Sequence, residues 1–180
     1  MMSTIQMAME LHRQGRLVEA EAHYRNLLTR SPAQFEALHL FGILKLQQGN
    51  FPEALSLISK ALEINPSADG TRSNLVAALL NLGRGAEAIQ HCDSMLTRNP
   101  ADTGALYNRA LAMMQSGRPN EALIDFGQVL SIKPDHVNAL FNRAGALVSL
   151  SRHQEAIADL DQLLTFMPGN ADALAKKFKS

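Results

Sequence analysis

Three asparagines stand 34 residues apart: Asn74, Asn108 and Asn142. A side-chain amide donates and accepts hydrogen bonds, as a peptide backbone does. Amides at a fixed interval can therefore track an extended backbone without reading its side chains. Large apolar residues accompany them: Tyr107 and Phe141, again 34 apart, with Leu111 and Met114. The combination suits an extended segment, with amides for its main chain and apolar surface for its side chains. A second role is open to the asparagines, that of bonding the neighbouring helix and keeping repeated units in register.

Other chemistry finds little support. The six histidines (His12, His23, His39, His91, His136 and His153) show no metal-ligand spacing. His91 and Cys92 are adjacent, so on a helix they point to different faces. No serine or cysteine has a base nearby in sequence, and no glycine-rich phosphate loop follows a strand. The sequence predicts no catalytic residue, no metal and no cofactor. Glu19-Ala20 recurs as Glu53-Ala54, Glu87-Ala88, Glu121-Ala122 and Glu155-Ala156, too regularly for catalysis. Acids in a helix's first turn complement its dipole. Arg109 and Arg143 each follow a ladder asparagine. Their long stems can cover apolar surface while the guanidinium reaches Asp125 or Asp159 on a partner helix.

The elements that must position these residues come from an internal repeat. The stretch Phe35 to Ala68 finds itself again at shifts of 34 residues in either direction, without insertion. Leu62 recurs as Leu28, Leu96, Leu130 and Leu164; Pro66 recurs as Pro32, Pro100, Pro134 and Pro168. A fixed period of this length means a stacked array. Within one copy, Leu38, Phe41, Gly42 and Lys45 share a helical face, and Gly49-Asn50 breaks the helix. Pro52 opens a second helix, with Leu55, Ile58, Ala61 and Leu62 turned inward, and Asn65-Pro66 closes it. Gly42 and Ala54 are small, which lets the two helices approach closely. One such hairpin cannot bury its apolar face alone, so neighbours must stack.

This pattern resembles the tetratricopeptide repeat (TPR). The likeness rests on the 34-residue period, small residues at repeat positions 8 and 20, Tyr24, Ile58, Cys92, Phe126 and Leu160 at position 24, and proline at position 32. The tryptophan common at position 4 is missing; Thr4, Leu38, Arg72, Leu106 and Leu140 stand there. The resemblance implies an all-α fold, a right-handed superhelix (α-solenoid) of stacked antiparallel helix pairs. Five repeats are expected, 1–34, 35–68, 69–102, 103–136 and 137–170. Residues 171–180 then start a sixth or form a short capping helix from about Asp172. Positions 4, 7, 8 and 11 of each first helix fall on the core side, and 2, 5, 6, 9, 12 and 13 opposite. The resemblance makes the second face a concave, ligand-binding groove. That places Asn74, Asn108 and Asn142 at position 6, Tyr107 and Phe141 at 5, Leu111 at 9 and Met114 at 12.

The expected function is a non-catalytic scaffold holding an extended peptide or partner protein in that groove. A second reading comes from the enzyme class. The ladder and the stretch Glu10 to Tyr24 also resemble bacterial TPR arrays joined to a glycosyltransferase of the O-linked N-acetylglucosamine transferase type. That would make the chain the substrate-recognition array of a larger enzyme. The carboxylate clamp of chaperone co-factors is absent: position 2 holds Met2, Glu36, Gly70, Gly104 and Asn138, and position 5 has no lysine.

Charge balances at 17 basic against 17 acidic residues, so no electrostatic footprint for nucleic acid or anionic membrane exists. No apolar run is long enough to span a bilayer. Met1 to Gly15 lacks the apolar centre of a signal peptide, and the expected location is the cytoplasm. Ser3 and Gln6 form the signature of a capping box. At the other end, Lys176, Lys177 and Lys179 offer a polar outer face. Either that short helix suffices, or another chain covers the end by self-association through the terminal repeats, or the array continues in a longer protein.

Overall fold

A computed structural model describes residues 3–177; Met2 and Lys179 lie outside the described residues. Every regular element described is helical: α1 Thr4–Arg13, α2 Leu17–Arg30, α3 Phe35–Gln47, α4 Phe51–Ile64, α5 Asp69–Asn81, α6 Gly85–Arg98, α7 Thr103–Gln115, α8 Pro119–Ile132, α9 Val137–Ser149, α10 His153–Phe166 and α11 Ala171–Lys177. The described chain forms two compact units, residues 3–82 and 83–177. Within the first, α1 packs on α2, α2 on α3, α3 on α4 and α4 on α5; within the second the same succession runs from α6 to α11.

Local chemistry sets the boundaries. Ser3 and Gln6 make the expected capping box at the start of α1. Asn50, Asp102 and His136 cap α4, α7 and α9 by accepting backbone N–H groups through their side chains. The turn between the two helices of a repeat needs one left-handed residue. Gly15, Gly49, Gly83 and Gly117 supply it, at φ between 69° and 75°. In the fifth copy Ser151 takes the same conformation, at φ 59°. The acid of each Glu-Ala pair has a further role. Arg16, Arg84, Arg118 and Arg152 each hold the glutamate three residues on, so the pair staples the turn to the second helix. In the second copy Asn50 stands in that arginine's place and bonds Glu53.

Small residues do allow close approach: a Cβ on Gly42 would come within 2.4 Å of Ile58 Cγ1. Two expectations need correction. Leu55 is only half-buried; Leu57 takes the inward place, because α4 buries Ala54, Leu57, Ile58 and Ala61 at helical spacing. The core face is also wider than positions 4, 7, 8 and 11. Position 3 (Ala37, Thr71, Ala105, Ala139 and Ala173) and position 10 (Leu44, Ala78, Ala112 and Ala146) are buried too. A first helix inside a stack packs on its hairpin partner and also on the preceding second helix, so it needs two buried faces.

Each unit has its own core. In the first, Tyr24 stacks on Phe41 among Leu11, Leu38 and Leu44. In the second, Leu106, Phe126, Val129, Leu140, Leu160 and Leu163 are packed together and buried.

Candidate functional site

In the second unit, α7 carries Tyr107, Asn108, Leu111 and Met114, and α9 carries Phe141 and Asn142, all half-buried. Tyr107, Leu111, Met114 and Phe141 pack against the core and stay partly exposed. Six of the seven residues expected to bind a ligand thus lie on two neighbouring first helices of one unit. Asn74 sits on α5 in the first unit, also half-buried.

The three asparagines are not equivalent. Asn142 Nδ2 donates to the Tyr107 hydroxyl at 2.9 Å and to the Asn138 carbonyl at 2.8 Å. Its amide therefore performs the register role, tying α9 to α7. Its oxygen accepts no hydrogen bond from another described residue, and the Tyr107 hydroxyl, having accepted, keeps its own proton to donate. The Tyr107 ring leans on His136, with centroids 5.1 Å apart. Burial raises the Tyr107 phenol above its ordinary pKa, and the bond from Asn142 opposes that rise. The side chains of Asn74 and Asn108 make no hydrogen bond to another described residue, so both amides keep donor and acceptor available.

Arg109 and Arg143 act within the scaffold. Arg109 grips the buried Asp125 with two bonds of 2.7 and 2.8 Å and reaches Asp93 at 2.6 Å. Arg143 grips Asp159 with Nε at 2.8 Å. The bonds to Asp125 hold the Arg109 guanidinium well above its ordinary pKa. Cys92 is buried, and burial pushes its thiol up to about 12, which suits packing and not nucleophilic chemistry. Among the described residues no three His, Cys, Asp or Glu side chains converge on a possible metal position.

Two features escaped the sequence reading. The first unit has a cavity of about 720 Å³ lined by Gln6, Met9, Glu10, His12, Arg13, Tyr24, Leu40 and Gln47. His12 Nε2 donates to Gln47 Oε1 at 2.9 Å on its wall. Six of those residues occupy positions 6, 9, 12 and 13, so the groove register already pointed there. The other is Lys176, whose ammonium lies 3.7 Å from the centre of the Phe141 ring. It is the sixth copy of position 6, a signal present in the sequence.

Tetratricopeptide repeat models match residues 11–79, 45–113 and 107–171, so nearly the whole chain is covered. The chain belongs to the tetratricopeptide repeat family. No curated protein matches it. Among solved structures, this TPR chain is similar to YrrB, a TPR protein with an unusual peptide-binding site. The two share 23% identity and a TM-score of 0.82, over 97% of this chain and 90% of that one. MamA from Desulfovibrio magneticus RS-1 aligns at 17% identity and TM-score 0.86, over 93% and 95%. A TPR protein from Parabacteroides merdae aligns at 23% and 0.85, over 97% and 69%. These likenesses establish the all-α TPR solenoid fold. They lend no support to the likeness with glycosyltransferase-linked arrays. Among the described residues no helix is long and apolar enough to cross a membrane.

Proposed function

We propose that this TPR chain is a non-catalytic scaffold that holds an extended peptide or protein segment on the concave face of its first helices. One observation carries the reading. In the second unit, Tyr107, Leu111 and Met114 stand half-buried and Phe141 lies half-buried under the Lys176 ammonium, beside the amide of Asn108 and the acceptor oxygen of Asn142. Apolar surface kept partly open beside uncommitted amides suits a ligand with both a main chain and apolar side chains. The fold shared with YrrB, itself a TPR protein with a peptide-binding site, is in keeping with it.

Asn74, Asn108 and Asn142 bond the backbone of the segment, and the four apolar residues select its side chains. Each hydrogen bond lost from such a site costs about 0.5–1.5 kcal/mol. Because the lining bears few charges, binding depends little on salt. The test is to capture a partner with the intact protein and then change all three asparagines to alanine. Weaker binding by the triple variant at an unchanged melting temperature supports the ladder as a ligand site. Unchanged affinity, or unfolding of the triple variant, returns the asparagines to the register role.

A further inference from the structure

Lys176 continues the series Asn74, Asn108, Asn142 by one more step of 34 residues. Its surroundings are specific. The ammonium nitrogen sits 3.7 Å from the centroid of the Phe141 ring and 3.4 Å from the Phe141 carbonyl oxygen. Gly145 lies against the same nitrogen: a Cβ there would approach it to 3.1 Å. At that repeat position the other copies carry Met9, Ile43, Ala77 and Leu111. The fifth copy alone leaves the space bare, and the ammonium fills it.

The chemistry of this spot is that of a cation receptor. An aromatic face attracts a cation through its quadrupole, more strongly where water is partly excluded. The carbonyl adds a hydrogen-bond acceptor, and the missing side chain gives room for a tetrahedral –NH3+ group. An apolar side chain would use the ring but neither of the other two. Space also remains beside the ring, a cavity of about 230 Å³ lined by Val137, Asn138, Phe141, Asn170 and Asp172. Among the described residues that line it Asp172 is the one charged group, so a second ammonium meets a carboxylate as it enters.

We propose that Phe141, its carbonyl and the bare backbone at Gly145 form a subsite for a primary ammonium group, occupied in the unliganded chain by Lys176 and, in the complex, by a lysine side chain of the bound segment. The proposal rests on the reading that the concave face takes an extended segment, and it adds what that segment must carry. Lys176 is then an internal competitor: the partner's lysine displaces it, and α11 gives up one of its anchors. Its other anchors, the buried Ala173 and the Lys177 to Asp161 pair at 2.5 Å, do not involve the ring and need not break.

The test uses the full chain and small probes, so it needs no partner. In the unaltered protein the ring current of Phe141 shifts the Lys176 Hε protons upfield in NMR spectra, and Phe141→Leu removes the shift. Hε resonances at ordinary lysine positions overturn the proposal. In Lys176→Ala, n-butylammonium is titrated against 1-butanol at constant ionic strength, following the amide signals of Phe141 and Gly145. The ammonium binds the variant about 3- to 30-fold more tightly than the alcohol does, the range expected from a cation over an aromatic face. It binds the unaltered protein several-fold more weakly, because Lys176 competes. Equal binding of alcohol and ammonium overturns the proposal by making the spot a plain apolar hollow. Equal binding to variant and unaltered protein, or no saturable shift, overturns it too. If circular dichroism shows that the variant has lost helix, the ring-current measurement decides alone. A negative result with these probes leaves the asparagine test to judge the concave-face reading separately.

Discussion

In residues 3–82 the most deeply buried cation is Lys45, at repeat position 11. In residues 83–177 position 11 holds Met113 and Leu147, and the cations stand at position 7 as Arg109 and Arg143. The lysine gathers several partners. Its Nζ lies 2.7 Å from Glu21 and 3.2 Å from Glu53, and 5.2 Å from the Phe41 ring, while Arg25 also binds both carboxylates. Each arginine grips one aspartate with two parallel N–H groups, and Arg109 also reaches Asp93. The difference follows from the groups themselves. An ammonium is a compact charge with three donors, and a guanidinium is a planar fork matched to one carboxylate. The arginine device is also copied with the repeat, whereas the lysine cluster occurs once.

The largest effect tests whether the lysine cluster supports the first unit. Lys45→Ala removes the cation from two partly buried carboxylates and destabilises the protein by about 3 kcal/mol, as seen when one side of a buried pair is lost. Lys45→Leu, the residue found at the same position as Leu11, Leu79 and Leu147, recovers part of that. Urea unfolding measures both, and wild-type stability in the two variants would show that the cluster contributes nothing. Acid sharpens the point. Burial raises Glu21, but bonds from Lys45, Arg25 and Gln48 outweigh it and bring its pKa from 4.5 to about 2. A depressed carboxylate stabilises the fold above its unfolded pKa, and that stability is lost as pH falls through the folded one. The unfolding midpoint therefore drops between pH 4.5 and 2, and drops less in Lys45→Leu.

What the units share is the small residue at position 20: Ala20 and Ala54 in one, Ala88, Ala122 and Ala156 in the other, all fully buried. Ala88→Leu overpacks this site and costs about 1–3 kcal/mol. The same change at the exposed Gln90 moves stability by no more than about 0.5 kcal/mol. Equal melting temperatures for the two variants would mean that position 20 is not a packing contact.

The faces expected to bind a ligand differ as well. The first unit keeps a cavity of about 720 Å³ there. In the second, Asn142 is already bonded to Tyr107 and Lys176 covers Phe141. Tyr107→Phe removes the first of these ties and costs about 0.5–1.5 kcal/mol. A neutral result would mean that the Asn142 amide finds another acceptor.

Periodicity made the helices legible, because a 34-residue register repeats every breaker and every small contact. It also placed Arg109 and Arg143 on Asp125 and Asp159, since both partners lie within one hairpin. What it concealed are contacts between repeats. Positions 3 and 10 belong to neither expected face because a single helix shows one apolar stripe, while a stacked helix is covered on two sides. The Asn142–Tyr107 bond spans 35 residues and depends on how α9 sits against α7, which no local spacing states. Lys176 was in register all along. A lysine near the end of a short helix reads as solvent-facing, but the Phe141 ring and the bare backbone at Gly145 take it inward.

The smallest effect separates the turns of the two units. Both turns within the first unit, at Gly15 and Gly49, use glycine, whereas the second unit uses Gly117 and Ser151 for the same left-handed geometry. A serine Cβ in that conformation crowds the following carbonyl, at about 1–2 kcal/mol. Glycine avoids the crowding but gives the unfolded chain more freedom to lose, about 0.5–1 kcal/mol. The two nearly offset, so Ser151→Gly stabilises by only about 0.5 kcal/mol. For a chain of this length that raises the melting temperature by roughly 1–2 °C. Gly117→Ser lowers it by a similar amount, since nothing lies within 4 Å of a Cβ built there and only the backbone term acts. Paired thermal melts of the two variants check the sign. Should Ser151→Gly lower the melting temperature, the serine is not strained, and the difference between the turns would lie in their flanking residues.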